Sequence, residues 1–169
     1  MAESTDWIDE LLQGWQREYP SLDTASLPPM VRLARLGVLI QSFQDEVLAP
    51  YELTHSAYAV LAALRRAGAP YALNPSQLYS LLERSSGGMT KILKRLEQQG
   101  LVERSPNPED GRSSRVALTP DGLEVQDRVF HSFLVATDDL LAPLSSTRRK
   151  ETDRVLRELL DIFEGHLYL

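Results

Sequence analysis

Apolar residues recur along most of this chain at helical spacing, and the breaks between those stretches are rich in Pro, Ser, Asn and Gly. Ile8, Leu11, Leu12 and Trp15 fall at i, i+3, i+4 and i+7. They predict a first helix capped by Thr5 that ends before Tyr19-Pro20. Ser21–Pro29 reads as a connector. A second helix is expected from about Pro28 to Ala49, with Leu33, Leu36, Ile40, Phe43 and Val47 on one face and Val31, Val38 and Leu39 elsewhere. A helix apolar on more than one face wants more than one partner. Thr54 caps a third helix, His55 to about Arg65, and the run RRAGAPYAL is expected to be loop.

Asn74-Pro75 is a cap-plus-proline start that opens a short helix, Ser76 to about Leu82. After a turn, Ser85 or Ser86 caps the next helix, which Gly100 stops. Its Met89, Ile92, Leu93 and Leu96 repeat at i, i+3, i+4 and i+7. Leu101–Arg104 and Ser114–Leu118 read as two strands of a hairpin, joined by the turn-forming run SPNPEDGRS. Thr119-Pro120 launches a long helix to about Leu141. A last helix follows from a cap at Ser145 or Ser146 to about Glu164, with Val155, Leu156, Leu159, Leu160, Ile162 and Phe163 as its stripe.

Helix, short helix, turn, helix, hairpin is the order of a winged helix-turn-helix. The expected fold class is mainly α with a small β-hairpin wing. The winged region spans 53–118; an N-terminal helix and connector occupy 1–27, and helical segments flank the winged region at 28–52 and 119–169.

Composition narrows the chemistry. With no cysteine there are no disulfides, thiolate nucleophiles or Cys-based zinc sites. His55, His131 and His166 are far apart, so no metal is expected. The sequence has no phosphate loop, Gly-x-Ser-x-Gly elbow or nucleophile–base pairing, so it is not expected to be an enzyme or to carry a cofactor. The acidic N-terminus is unlike a secretory or transit signal, and no apolar run is long enough for a membrane span, so a cytoplasmic location without membrane partners is expected.

The net charge of −6 argues at first against nucleic acid. It conceals a local bias. Between Arg84 and Arg115 seven Lys/Arg face four Asp/Glu, a local charge of +3 that leaves the remaining chain at −9. Phosphate binding depends on such a patch rather than on the global sum. Ser86, Gly87, Thr90, Lys91, Lys94 and Arg95 share the outer side of the helix after the turn. That is the face a recognition helix offers to a major groove. Gly87 and Gly88 weaken a first turn by roughly 1 kcal/mol each. A turn without side chains lets backbone N–H groups approach a phosphate closely. The alternative is a turn that needs positive φ. In the hairpin, Arg112, Ser113 and Arg115 are placed to reach a minor groove, and Asp110 could orient the Arg112 guanidinium.

The run SSGGMTKILKRLEQQGLVERSPNPEDGRSSRVALTPDG resembles the core signature of the MarR family of bacterial transcription regulators, and the resemblance extends from about Pro28 to the C-terminus. It implies a winged helix-turn-helix DNA-binding lobe at 53–118 on a helical dimerisation lobe built from both chain ends, 28–52 and 119–169, and a homodimer on double-stranded, pseudo-palindromic operator DNA. It further implies a repressor released when a small aromatic or phenolic anion enters a cleft between the lobes. Ser76, Gln77, Ser85, Ser86, Gly87, Thr90, Lys91, Lys94, Arg95, Asp110, Arg112, Ser113 and Arg115 become the candidate DNA contacts.

The N-terminal helix with its tryptophan is similar to the urate-responsive branch. Trp15 and Arg104 match that branch's ligand residues, whereas its Asp and first Arg positions hold Ala59 and Ile92. Trp15, His55, Tyr58 and Arg104 are therefore the candidate ligand residues, with a ligand other than urate expected. The competing reading is a winged-helix protein-interaction module that binds no DNA, motivated by the acidic total charge.

Overall fold

A computed structural model describes residues 6–82, 86–106 and 114–167, with the side chain of Ser86 excluded. Candidates Ser85, Asp110, Arg112 and Ser113, and the side chain of Ser86, lie outside what it describes. The chain divides into two compact units, Met1–His55 and Ser56–Leu169.

In the first unit, α1 (Trp7–Glu18) lies against α2 (Leu27–Leu48), which runs into a 3-10 turn at Ala49–Tyr51. The cap of α1 is Asp6, not the expected Thr5. Its carboxylate accepts from the Ile8 and Asp9 N–H groups, and Asp9 returns a hydrogen bond to the Asp6 N–H. A carboxylate can serve two amides and still accept from Arg32, which bridges Asp6 and Asp9 from α2. The Asp6 N–H and the Arg32 guanidinium hold the Asp9 carboxyl below its usual range. Ile8 is the buried residue of α1. Leu36, Val38, Leu39 and Ile40 of α2 remain about half exposed.

The second unit carries α3, which begins at the unit boundary (His55–Arg66), then β1 (Ala72–Leu73), α4 (Pro75–Leu81), α5 (Ser86–Gln98), β2 (Val102–Pro106), β3 (Ser114–Leu118), α6 (Pro120–Leu141) and α7 (Ser146–Leu167). The boundaries follow the caps. Thr119 Oγ1 accepts from the Gly122 N–H, and Asn74 and Gln77 form a capping box. Gly100 ends α5 with φ +71°, a conformation glycine adopts without strain.

The hairpin is antiparallel in the register Val102↔Leu118 to Pro106↔Ser114. One expectation fails: RRAGAPYAL is not all loop. Ala72 and Leu73 pair antiparallel with Ala117 and Val116, giving a three-stranded sheet in the order β1-β3-β2. The core combines Val60, Leu61 and Leu64 of α3 with Leu78, Met89, Leu93, Leu96, Val116 and Val129, all fully buried. Among the described residues no helix is long and apolar enough to cross a membrane.

Candidate nucleic-acid interface and an inner cleft

The register of α5 decides what it presents. Met89, Leu93 and Leu96 are fully buried and Ile92 is partly covered, so the helix is anchored along one stripe. The opposite side is exposed: Gly87, Gly88, Thr90, Lys91, Lys94 and Arg95 all face solvent. Ser76 and Gln77 are exposed at the start of α4. The Gln77 carbonyl is already engaged, accepting from the Asn74 N–H at 2.8 Å, so its amide NH₂ is the end left for another partner. Arg115 is half-buried on β3, opposite Ser105. Gly87 does not have positive φ, and a Cβ built on it meets nothing within 4 Å. The turn-conformation explanation for that glycine therefore has no support in the backbone.

The C-terminal end of α5 is bolted to the start of α6. Thr119 Oγ1 donates to the Gly100 carbonyl at 2.6 Å while capping α6, and the Thr119 N–H donates to the Leu101 carbonyl at 3.2 Å. Gly122 sits directly on that peptide: a Cβ there would lie 1.9 Å from the Leu101 oxygen. One hydroxyl thus serves two helix ends. Thr119→Val should cost about 1–2 kcal/mol, a loss of roughly 5 °C in Tm, while Thr119→Ser should stay near wild type. Thermal denaturation followed by circular dichroism measures both. Arg104 on β2 pairs with Glu97 on α5 at 3.2 Å, which ties the wing's base to the recognition helix.

The candidate ligand residues divide. Trp15 and His55 belong to the first unit; Tyr58 and Arg104 belong to the second. Trp15 is half exposed and stacks on Tyr19 at 5.9 Å. Of these, Tyr58 lines a cleft. It borders a half-open cleft of about 380 Å³ between α3 and α6, together with Ala62, Arg65, Arg66, Gln126, Asp127 and Phe130. Tyr58 also stacks on Phe133 at 5.1 Å. Burial raises the Tyr58 pKa, partly offset by a hydrogen bond from Gln126 and the charge of Arg66.

Arg65 is committed: it chelates Asp127 at 2.9 and 3.3 Å and lies over the Tyr71 ring. Gln126 is 3% exposed, and its Oε1 has no hydrogen-bond partner. An unfilled buried acceptor costs about 1–3 kcal/mol. The sequence held one signal for it: a glutamine on the same helical stripe as Leu123, Val129, Phe130 and Phe133.

A buried-backed helix with an exposed Thr/Lys/Arg face, preceded by a short helix and followed by a sheet hairpin, defines a winged helix-turn-helix, a DNA-binding class. A model of the MarR family matches residues 51–113. The HTH-type transcriptional regulator PecS of Dickeya dadantii is 35% identical over 160 residues, 95% of this chain and 94% of that protein. A cysteine-to-serine mutant of MarR from E. coli, solved in complex with operator DNA, is 26% identical. It superposes with a TM-score of 0.67 over 82% of this chain and 99% of its own. AbsC from Streptomyces coelicolor, 21% identical, shares the fold with a TM-score of 0.73 over 85% of this chain and 97% of that one. The chain belongs to the MarR family: it is a DNA-binding transcription regulator, and the relatives it matches are regulators rather than enzymes.

Proposed function

We propose that the protein is a homodimeric repressor that grips a pseudo-palindromic operator and is released by a small aromatic anion in the α3–α6 cleft. The observation that carries the DNA-binding part is the exposed row Thr90, Lys91, Lys94 and Arg95 on a helix anchored on its other side by the buried Met89, Leu93 and Leu96. Arg112 and Asp110 complete the site in the wing by resemblance. The operator complex of MarR, a relative at 26% identity, supports the same reading.

Homodimerisation rests on apolar surface that one copy leaves open. α7 has no buried residue, and its Val155, Leu156, Leu160, Ile162 and Leu167 are 41–68% exposed. α2 shows a similar stripe. Contiguous apolar surface of this kind marks an interface. Two recognition helices about 34 Å apart would then read successive major grooves.

Release would be a population shift. The cleft residues Gln126, Asp127 and Phe130 lie on α6 about two to three turns beyond Thr119, whose backbone and hydroxyl hold Gly100 and Leu101 at the end of α5. A ligand that moves α6 therefore moves the recognition helix.

Fluorescence anisotropy with a labelled inverted-repeat duplex from the protein's own promoter tests the reading. Lys91→Ala should weaken binding roughly tenfold and lower the salt slope by about 1. Affinity insensitive to both Lys91→Ala and Arg112→Ala would instead favour a winged-helix protein-interaction module.

A further inference from the structure

We infer that Glu97, an acid on the recognition helix, strengthens DNA binding: its ion pair with Arg104 holds the β2–β3 hairpin at a fixed pitch against α5. Both are positioning residues, and Arg104 thereby serves DNA binding rather than a ligand. This role rests on the reading of α5 as the recognition helix.

The carboxylate stands in an unexpected place. Glu97 lies three residues after Lys94 and seven after Thr90, so it borders the exposed cationic row of α5. An acid there repels phosphate. What it holds accounts for its position. The Arg104 Nε lies 3.2 Å from Glu97 Oε1, with the two side chains 35% and 32% exposed. The Glu97 carbonyl also accepts from the Gly100 N–H at 3.0 Å, and the Leu96 carbonyl accepts from the Leu101 N–H at 3.0 Å. The residue whose side chain grips β2 is therefore part of the turn that leads into β2.

The strand register places Arg104 on the side that faces the helix. Val102 is opposite Leu118 and Arg104 is opposite Val116, and directly opposed residues share a face of a sheet. Val102, Val116 and Leu118 are buried, so Arg104 leaves β2 on the inward face. It grips the strand two residues beyond the buried root at Val102. Ser105 and Arg115 form the next pair, on the opposite face. Arg115 meets DNA at whatever angle the hairpin is held, and the Glu97–Arg104 pair sets that angle from behind.

Fluorescence anisotropy with the labelled inverted-repeat duplex tests this on Glu97→Gln, with Lys91→Ala alongside. Glu97→Gln removes one negative charge at nearly constant shape. A carboxylate that only repels DNA would give tighter binding when removed. The positioning role requires the opposite sign: affinity should fall about threefold or more. Tm should stay within about 3 °C of wild type, because a part-exposed pair contributes little to the fold. Exchanging the charges, Glu97→Arg with Arg104→Glu, should bind more tightly than Glu97→Arg alone, although the exchanged protein carries less positive charge.

Affinity unchanged or raised in Glu97→Gln, while Lys91→Ala still weakens binding, overturns the inference and leaves the DNA-binding reading intact. Affinity and Tm that fall together, without rescue by the exchange, make the pair a contact of the fold and overturn it as well. Affinity indifferent to both Lys91→Ala and Glu97→Gln overturns the reading of α5 and the role of the pair with it.

Discussion

Gly122→Ala is expected to destabilise the protein by about 3 kcal/mol or more, lowering Tm by roughly 10 °C. Two effects oppose each other. Alanine is the better helix former by about 1 kcal/mol. Against that, the new methyl would lie 1.9 Å from the Leu101 carbonyl oxygen and 2.8 Å from its carbon. Those atoms are backbone, so no rotamer change relieves the contact. Leu101 is also buried, follows the Gly100 cap and accepts from Thr119, which fixes it from both sides. The first turn of α6 must therefore back away, breaking the Thr119 link to Gly100 as it does so. The clash exceeds the propensity gain several-fold. Thermal denaturation checks the result, and an unchanged Tm would show that the α5–α6 joint yields easily.

Gly87→Val should give the opposite pattern. Operator affinity should fall tenfold or more while Tm stays within about 2 °C of wild type. A Cβ at Gly87 meets nothing within 4 Å, and the backbone there is not left-handed, so the fold has no internal need for glycine. Valine is, if anything, a slightly better helix residue than glycine. The second position of α5 nonetheless lies where free N–H groups attract a phosphate, and a branched side chain there would hold the strand off. Anisotropy and a melting curve on the same preparation separate the two properties. If affinity and Tm fall together, the glycine serves the fold, and the close-approach reading of the first turn is wrong.

These two glycines show where sequence reading stops. Both stand in the first turn of a helix, ahead of its apolar stripe. The requirement at Gly122 comes from a carbonyl 21 positions earlier in the chain, and no local pattern carries that information. A Cβ at Gly87 meets nothing within 4 Å, so the protein's own packing says nothing about a need for glycine there.

Local rules did determine much. The i, i+3, i+4, i+7 run at Met89–Leu96 put the right residues inward and left Thr90, Lys91, Lys94 and Arg95 outside. Thr119-Pro120 placed the start of α6, and the alternation at Ser114–Leu118 marked β3 at its observed ends. In these stretches short-range preference and tertiary burial agree, so the pattern suffices.

Elsewhere the decision was tertiary. β1 is two residues long, too short for alternation to be visible, and exists because Val116 and Ala117 lie beside it. Asp6 rather than Thr5 caps α1, where Arg32 arrives from α2 to balance the carboxylates. The cleft was invisible as well. Tyr58, Arg66, Gln126 and Phe130 come from two helices separated by the whole winged-helix segment, and only their juxtaposition leaves Gln126 Oε1 buried and unmet. The sequence by itself determined which face of which helix would be cationic and which apolar, because periodicity is a local property. Which side chains share a cleft, and which glycine backs onto which carbonyl, were decided only by packing between segments distant in the chain.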